Sequence, residues 1–532
     1  MKHTLSHLLL SIILLGTIRL TAQQPAYLVT FTHKPDTHFN ASTYFHPHTL
    51  ERRKLQGLPP YDWFDLPVHK NWVDSVIRQT DSVRHVLRWV NGMTLHATAA
   101  QITRIQNFPF VKNIEKLQYE AAISVAPQQP KDQRLDTLLY AQRNLMNLNM
   151  LQDSGLTGEG VRIAVFDVGF REVDTHPAFE ELRKNNKIEA TQNFYRKSRS
   201  VYAHNDHGLN VLGCIAGQYK GKPIGCAPGA TFLLARTEHK IFEKAKEEDH
   251  WMAAAEWADK NGADLINSSL GYTRKRYTYA DMDGETALVA QAARIATQKG
   301  ILVINSLGNS GDNKWNFLGT PADVPEVLSV GAVYPMFPLR MKFSSYGPNA
   351  DSLLKPEVSA PGYVLTAGKK GRYETMGGTS FSAPLVTGFA ACVLQKYPGL
   401  RPAQLKQVIM GSSKLFPYFD YAHGFGVPDA YRLLHFQDDS TRITPTFSVS
   451  FLKYTIFVQL NDSVMAADTA LHQNGRAFFF HTQKPNGKLA TYSFSLIPLD
   501  QKQFLLIRQS KGEVILRIWF AGYLYEKRLL GS

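Results

Sequence analysis

The chain has 532 residues, 44% hydrophobic and 20% charged, which is too long for one ordinary core and suggests two to four domains. Its formal charge is +14, yet the basic residues are spread out with no long Lys/Arg run and no nucleic-acid motif, so the excess reads as a surface property and nucleic-acid binding is not expected. Three cysteines, Cys214, Cys226 and Cys392, all in apolar or small-residue contexts, exclude a disulfide framework and read as buried free thiols.

In chain order, Lys2 and His3 precede the apolar run Leu8 to Leu15, and the small residue Ala22 follows before Gln23-Gln24. A basic start, a short apolar run and a small residue predict a secretory signal over residues 1–22, and export or a cell-envelope location. The run is short for a membrane span, and no later stretch could cross a bilayer. Residues 23–125 form the next unit. Ala26–Thr32 reads as a strand, and a polar stretch that includes Leu50-Glu51-Arg52-Arg53 follows. Trp72–Ile77 begins a helix, and His85–Val90 and Met93–Ala97 flank an Asn91-Gly92 turn. Ala99–Asn107 reads as a helix and Val111–Glu115 as a strand, giving a β-α-β-β-α-β, ferredoxin-like order. The Pro- and Gln-rich segment Ala126–Arg134 reads as a linker.

Over residues 135–436 apolar runs alternate with helical stretches. The runs are Val161–Phe166, Thr231–Ala235, Asp264–Asn267, Ile301–Ile304 and Val327–Val330; the clearest helices are Glu248–Asn261 and Thr286–Lys299. This alternation predicts an α/β fold with a doubly wound parallel sheet and a ligand crevice at the carboxyl ends of its strands. Residues 437–532 read as a small β-sandwich, with strands over Phe447–Leu460, Ala477–His481, Leu489–Leu496, Phe504–Arg508 and Val514–Phe520 and turns at Asn486-Gly487 and Lys511-Gly512.

Four strand-end loops carry chemistry. Asp167 ends a buried apolar strand, where a carboxylate is costly unless it is bonded, as one orienting an imidazole would be. His207 heads a small-residue helix and is the natural general base near neutral pH. Ser380 lies in Gly377-Gly378-Thr379-Ser380-Phe381-Ser382-Ala383-Pro384, where a loop becomes an apolar helix and free N–H groups favour negative charge. Acid, base and hydroxyl nucleophile in the order Asp, His, Ser form a known triad order. Asn309, in Leu307-Gly308-Asn309, could donate to an oxyanion beside the Ser380 N–H.

These segments resemble the subtilisin-like serine peptidases (subtilases), in particular secreted bacterial forms with a propeptide. Phe166-Asp167-Val168-Gly169, His207-Gly208 and Gly378-Thr379-Ser380-Phe381-Ser382-Ala383-Pro384 are similar to the family's Asp, His and Ser motifs. Leu307-Gly308-Asn309 is similar to its oxyanion segment, and Ser268-Ser269-Leu270-Gly271 to the edge that pairs with extended substrate, so the resemblance implies substrate binding by Ser269, Leu270 and Gly271. It also implies polypeptide substrates, a zymogen, and an inhibitory chaperone propeptide acting as an intramolecular partner. No cofactor is implied. A structural calcium ion is not expected where many relatives place an acid after His176-Pro177, because Ala178 stands there. Val168 replaces the usual Ser or Thr, and Leu209 and Asn210 replace the usual Thr and frequent second His. Val168 and Leu209 alone favour the alternative of a catalytically weak, subtilase-like binding protein.

Overall fold

The computed structural model describes residues 25–35, 38–80, 82–117, 135–195, 200–203, 205–238, 246–273, 277–435, 445–452, 455–461, 476–497, 503–507 and 512–530. The signal over residues 1–22, the linker Ala126–Arg134, Arg508 and Lys511 lie outside them. No helix among the described residues is long and apolar enough to cross a membrane.

The N-terminal unit comprises β1 (Ala26–Phe31), α1 (Ala41–Tyr44), α2 (Pro47–Leu55), α3 (Lys70–Ile77), β2 (Ser82–Leu87), β3 (Gly92–His96), α4 (Ala99–Gln106) and β4 (Val111–Leu117). Its sheet is antiparallel in the order β2-β3-β1-β4, as the ferredoxin-like reading requires. Asn91 at φ 47° makes the turn into β3, and Thr98 and Gln101 close a reciprocal capping box at the start of α4. The polar stretch around Arg52 is helix α2. Its charged face hides the signal, because Arg52 and Arg53 are buried against another part of the chain.

The body begins with α5 (Leu135–Asn144), α6 (Leu148–Asp153), β5 (Arg162–Asp167), α7 (Glu180–Lys184), β6 (Ile188–Asn193) and α8 (His207–Ala216). A two-residue hairpin pair follows, β7 (Gln218–Tyr219) and β8 (Lys222–Pro223), then β9 (Thr231–Arg236), α9 (Lys246–Lys260), β10 (Leu265–Ser268) and α10 (Leu288–Gln298). The remaining elements are β11 (Leu302–Ser306), β12 (Leu328–Val333), β13 (Val358–Pro361), β14 (Tyr363–Ala367), β15 (Tyr373–Gly377), α11 (Thr379–Lys396), α12 (Pro402–Gly411) and α13 (Ala430–His435). The seven-stranded sheet runs β13-β12-β11-β10-β5-β9-β6, parallel throughout. One face packs on α8 and α11, the other on α9 and α10, which is the doubly wound arrangement. Five of its strands match the apolar runs. β6 is partly exposed and mixed in composition, and β13 carries Ser359 and Pro361, so neither shows a clean apolar run.

The C-terminal unit has sheets β16-β17-β20 and β19-β18-β21-β22, formed by β16 (Phe447–Leu452), β17 (Thr455–Leu460), β18 (Arg476–Gln483), β19 (Leu489–Ile497), β20 (Gln503–Ile507), β21 (Val514–Phe520) and β22 (Tyr523–Leu529). Phe447, Ile456 and Val458 from the first sheet share a core with Phe478, Leu516 and Ile518 from the second, which makes a sandwich. All three cysteines are buried and free.

The N-terminal unit lies on α9 and α10. Arg52 and Arg53 bond Asp259 through separate carboxylate oxygens at 2.5 and 2.6 Å. Arg53 and Lys299 meet Asp65 at 2.9 and 2.8 Å. Ten residues earlier on α9, Arg84 grips Asp249 at 2.6 and 2.7 Å, and Glu256 between them accepts from the Arg88 and Trp89 N–H groups at 3.1 and 2.9 Å.

Candidate active site

The residues singled out from the sequence converge at the carboxyl ends of β5, β10 and β11 and the heads of α8 and α11. β5 ends on the fully buried Asp167. Its Oδ1 accepts from the Val168 N–H at 2.8 Å, and its carbonyl accepts from the Thr237 N–H at 3.0 Å, fixing the strand end against β9. His207 opens α8, where Asn205 Oδ1 accepts its backbone N–H at 2.9 Å. Gly208 follows because a side chain there would run into the Gly169 carbonyl.

His207 Nδ1 lies 2.9 Å from both Asp167 oxygens, and its ring tilts against Phe381. Burial works against the imidazolium. The Asp167 carboxylate outweighs it and raises His207 above its ordinary pKa, with Glu238 and Asp206 adding to the effect.

Gly378, at φ 146°, turns β15 into α11 through backbone space that a side chain would strain. Ser380 Oγ donates to the Ser269 carbonyl at 3.3 Å. In return Ser269 Oγ donates to the Ser380 carbonyl at 2.8 Å. Pro384 explains why that carbonyl is available. Proline has no N–H, so the helical bond from residue 384 back to residue 380 cannot form, and a hydroxyl from the β10 edge takes its place. Asn267 Nδ2 reaches Ser269 Oγ at 3.4 Å, and Thr387 Oγ1 donates to Asn267 Oδ1 at 2.8 Å. A polar row therefore runs from inside α11 to the residue that bonds Ser380.

Asn309 Oδ1 accepts from the Thr379 N–H at 2.9 Å and from Thr379 Oγ1 at 3.0 Å, while Thr379 Oγ1 accepts from the Gly308 N–H at 3.2 Å. With Oδ1 engaged, the Nδ2 side of the amide lies toward Gly378 at the helix head. Leu270 and Gly271 continue the edge beyond Ser269 into Tyr272, whose backbone pairs with Thr320.

Of the three unusual neighbours, Leu209 and Asn210 have plain structural roles, and Val168 contributes through its backbone. Leu209 is fully buried in the core. Asn210 ties α8 to the β14–β15 hairpin, donating to the Ala367 carbonyl at 2.6 Å and to Glu374 at 3.2 Å, and its carbonyl accepts from Thr366 Oγ1 at 2.6 Å. The Val168 carbonyl accepts from Arg236 Nε at 2.9 Å. Ala178 is a buried core methyl. Among the described residues, one group of metal-ligating side chains lies within 4.8 Å of one another, His85, Asp249 and His250. The Asp249 oxygens there already accept from Arg84 and Thr94, so the group reads as an ion pair. Sequence reading missed Thr379, Asn267 and Thr387. The available signal was Pro384 inside a helix, which marks Ser380 as a carbonyl in need of an outside donor.

The "Subtilase family" model of peptidase S8 matches residues 158–426, and a "Peptidase S8 propeptide domain, Bacteroidota" model matches residues 26–134. The chain is 29% identical over 334 residues to a thermostable alkaline protease of Halalkalibacterium halodurans, covering 60% of this chain and 80% of the relative. It is 29% identical over 286 residues to subtilisin DY of Bacillus licheniformis, covering 53% and 93%. It is 30% identical over 270 residues to subtilisin BL of Lederbergia lenta, covering 49% and 88%.

Proposed function

Given that this chain belongs to the subtilase family, we propose that Ser380, His207 and Asp167 are its catalytic triad and that the protein acts outside the cytoplasm. The protein is a serine endopeptidase made as a zymogen, with residues 26–134 matching the family propeptide. Ser380 Oγ leaves the Ser269 carbonyl by a side-chain rotation and attacks the scissile carbonyl, passing its proton to His207 Nε2. Asp167 holds the imidazole by Nδ1 and stabilises its charge. Asn309 Nδ2 and the Ser380 N–H receive the oxyanion, and His207 then protonates the leaving amine. Water repeats the sequence on the acyl-enzyme. Ser269, Leu270 and Gly271 pair with the substrate backbone as an added strand.

The observation that carries this reading is His207 Nδ1 at 2.9 Å from both oxygens of a fully buried carboxylate, on the strand next to the edge that bonds Ser380. The basic, apolar, small-residue order of residues 1–22 supports export. The N-terminal unit, seated on α9 and α10, is the inhibitor and folding aid.

The test is covalent labelling by a fluorophosphonate of the full chain and of Ser380→Ala. The wild type takes up label and shortens to its mature length; the variant does neither. Equal labelling of the two proteins, with no cleavage of an unfolded protein substrate, refutes the triad assignment.

A further inference from the structure

We propose that Glu238, held by Tyr272, is a specificity-determining carboxylate that selects a lysine or arginine side chain in the substrate residues preceding the scissile bond; this rests on the triad assignment above.

The position follows from the sheet. β9 pairs with β5 so that Arg236 stands opposite Asp167, and the Thr237 N–H donates to the Asp167 carbonyl. Glu238 is therefore the first residue past the last ladder bond, beside the triad acid. From the other flank of β5, the β10 edge bonds Ser380 through Ser269, and three residues on it delivers Tyr272. Tyr272 Oη donates to Glu238 Oε1 at 2.9 Å. The pair spans the carboxyl end of β5, between the two segments that bracket the cleft. In the proposed binding mode a peptide paired with residues 269–271 runs past this pair.

Charge gives the class of side chain. Glu238 is 4% exposed, and its Oε2 makes no hydrogen bond among the described residues. Burial, with Asp167 adding, pushes its pKa up to about 7, while Tyr272 and His207 act the other way. Glu247 and Glu248, both fully buried at the start of α9, lie close enough to raise the Tyr272 phenol further. Glu248 is itself engaged, accepting from Tyr277 Oη at 2.9 Å and from the Val289 N–H at 3.0 Å. A cationic side chain would give the second oxygen a donor and the carboxylate a counter-charge. The mechanism does not use Glu238.

The experiment measures kcat/KM of the processed enzyme on fluorogenic peptides. Each of the four residues before the scissile bond is varied in turn through Lys, Arg, Gln, Leu and Glu. At one position the wild type favours Lys and Arg over Gln by roughly tenfold or more, the size of one charge-assisted hydrogen bond. Glu238→Gln removes that preference, read as the ratios of Lys and Arg to Gln and Leu peptides on the same enzyme. Tyr272→Phe keeps the preference but shifts its onset to higher pH, because the phenol favours the ionised carboxylate. The Lys-to-Gln ratio on one enzyme cancels the titration of His207. Wild type and Glu238→Gln with the same ranking at all four positions overturn the proposal and leave the peptidase standing. A wild type that cleaves no peptide and takes no fluorophosphonate overturns both. If Glu238→Gln does not fold, Tyr272→Phe decides: an unchanged pH dependence of the ratio overturns the proposal.

Discussion

Removing the Asp259 carboxylate should loosen the N-terminal unit from the body far more than any surface pair can. Arg52, Arg53, Asp65, Asp259 and Lys299 form a cluster whose side chains are 2–3% exposed, with three cations to two carboxylates and Asp62 at its rim. Asp259→Ala leaves Arg52 with carbonyl partners alone, those of Ala263 and Lys299, and leaves one buried carboxylate for Arg53 and Lys299 to share. Two charge-assisted bonds at about 1.5–3 kcal/mol each, and the about 3–5 kcal/mol typical of breaking a buried ion pair from one side, overlap at about 3–5 kcal/mol. The assay is urea unfolding of the full chain in a Ser380→Ala background, followed by tryptophan fluorescence, since Trp251 and Trp257 lie on α9. The transition in which the N-terminal unit separates should shift by that amount, whereas Lys70→Ala, which breaks the exposed pair with Asp74, should shift it by less than about 1 kcal/mol. If the cost is the stranded cation, Arg52→Met in the Asp259→Ala background recovers about 0.5–3 kcal/mol. A shift below about 1 kcal/mol for Asp259→Ala, or strict additivity in the double variant, refutes the reasoning.

Ser269→Ala orphans the Ser380 carbonyl and should cost about 1–3 kcal/mol of stability; restoring a helical N–H with Pro384→Ala should cost less in the Ser269→Ala protein than in wild type, as a thermal-unfolding double-mutant cycle will read. Asn309→Leu should lower kcat by about 100- to 1,000-fold with little change in KM, a magnitude taken over from the known oxyanion donor of subtilisin; an effect confined to KM would remove Asn309 from that role. Because Asp167 raises His207, and the base must be neutral to act, kcat/KM should fall on the acid side with a midpoint above the ordinary imidazole value of about 6.5, and Asp167→Asn should bring that midpoint down. A wild-type midpoint at or below about 6.5 would contradict the coupling.

What could be read in the sequence was whatever rested on local chemistry. Buried parallel strands announce themselves as apolar runs, so β5, β9, β10, β11 and β12 fall where those runs lie. Asp167, His207, Ser380 and Asn309 stood out because strand ends and helix heads leave few tasks for such side chains, and the fold brings all four together. Hidden were the elements whose partners are distant in sequence. Helix α2 read only as a polar stretch because its buried arginines converge on Asp259, more than two hundred residues later, with Asp65 sharing Arg53. β6, β13 and β22 mix polar and apolar residues, so no period marks them. Thr379 and Glu238 gained meaning only when the amide of Asn309 and the phenol of Tyr272 appeared beside them.

Helix α9 is held at both ends by the same unit, Arg84 on Asp249 and Arg52 with Arg53 on Asp259. At about 1.5 Å per residue these grips are roughly 15 Å apart. The attachment is thus bivalent within one pair of surfaces, and each grip holds the other at high effective concentration. A cut between residues 117 and 135 removes the covalent tether and neither grip. A grip that opens alone closes again before its neighbour fails, so the severed unit leaves slowly.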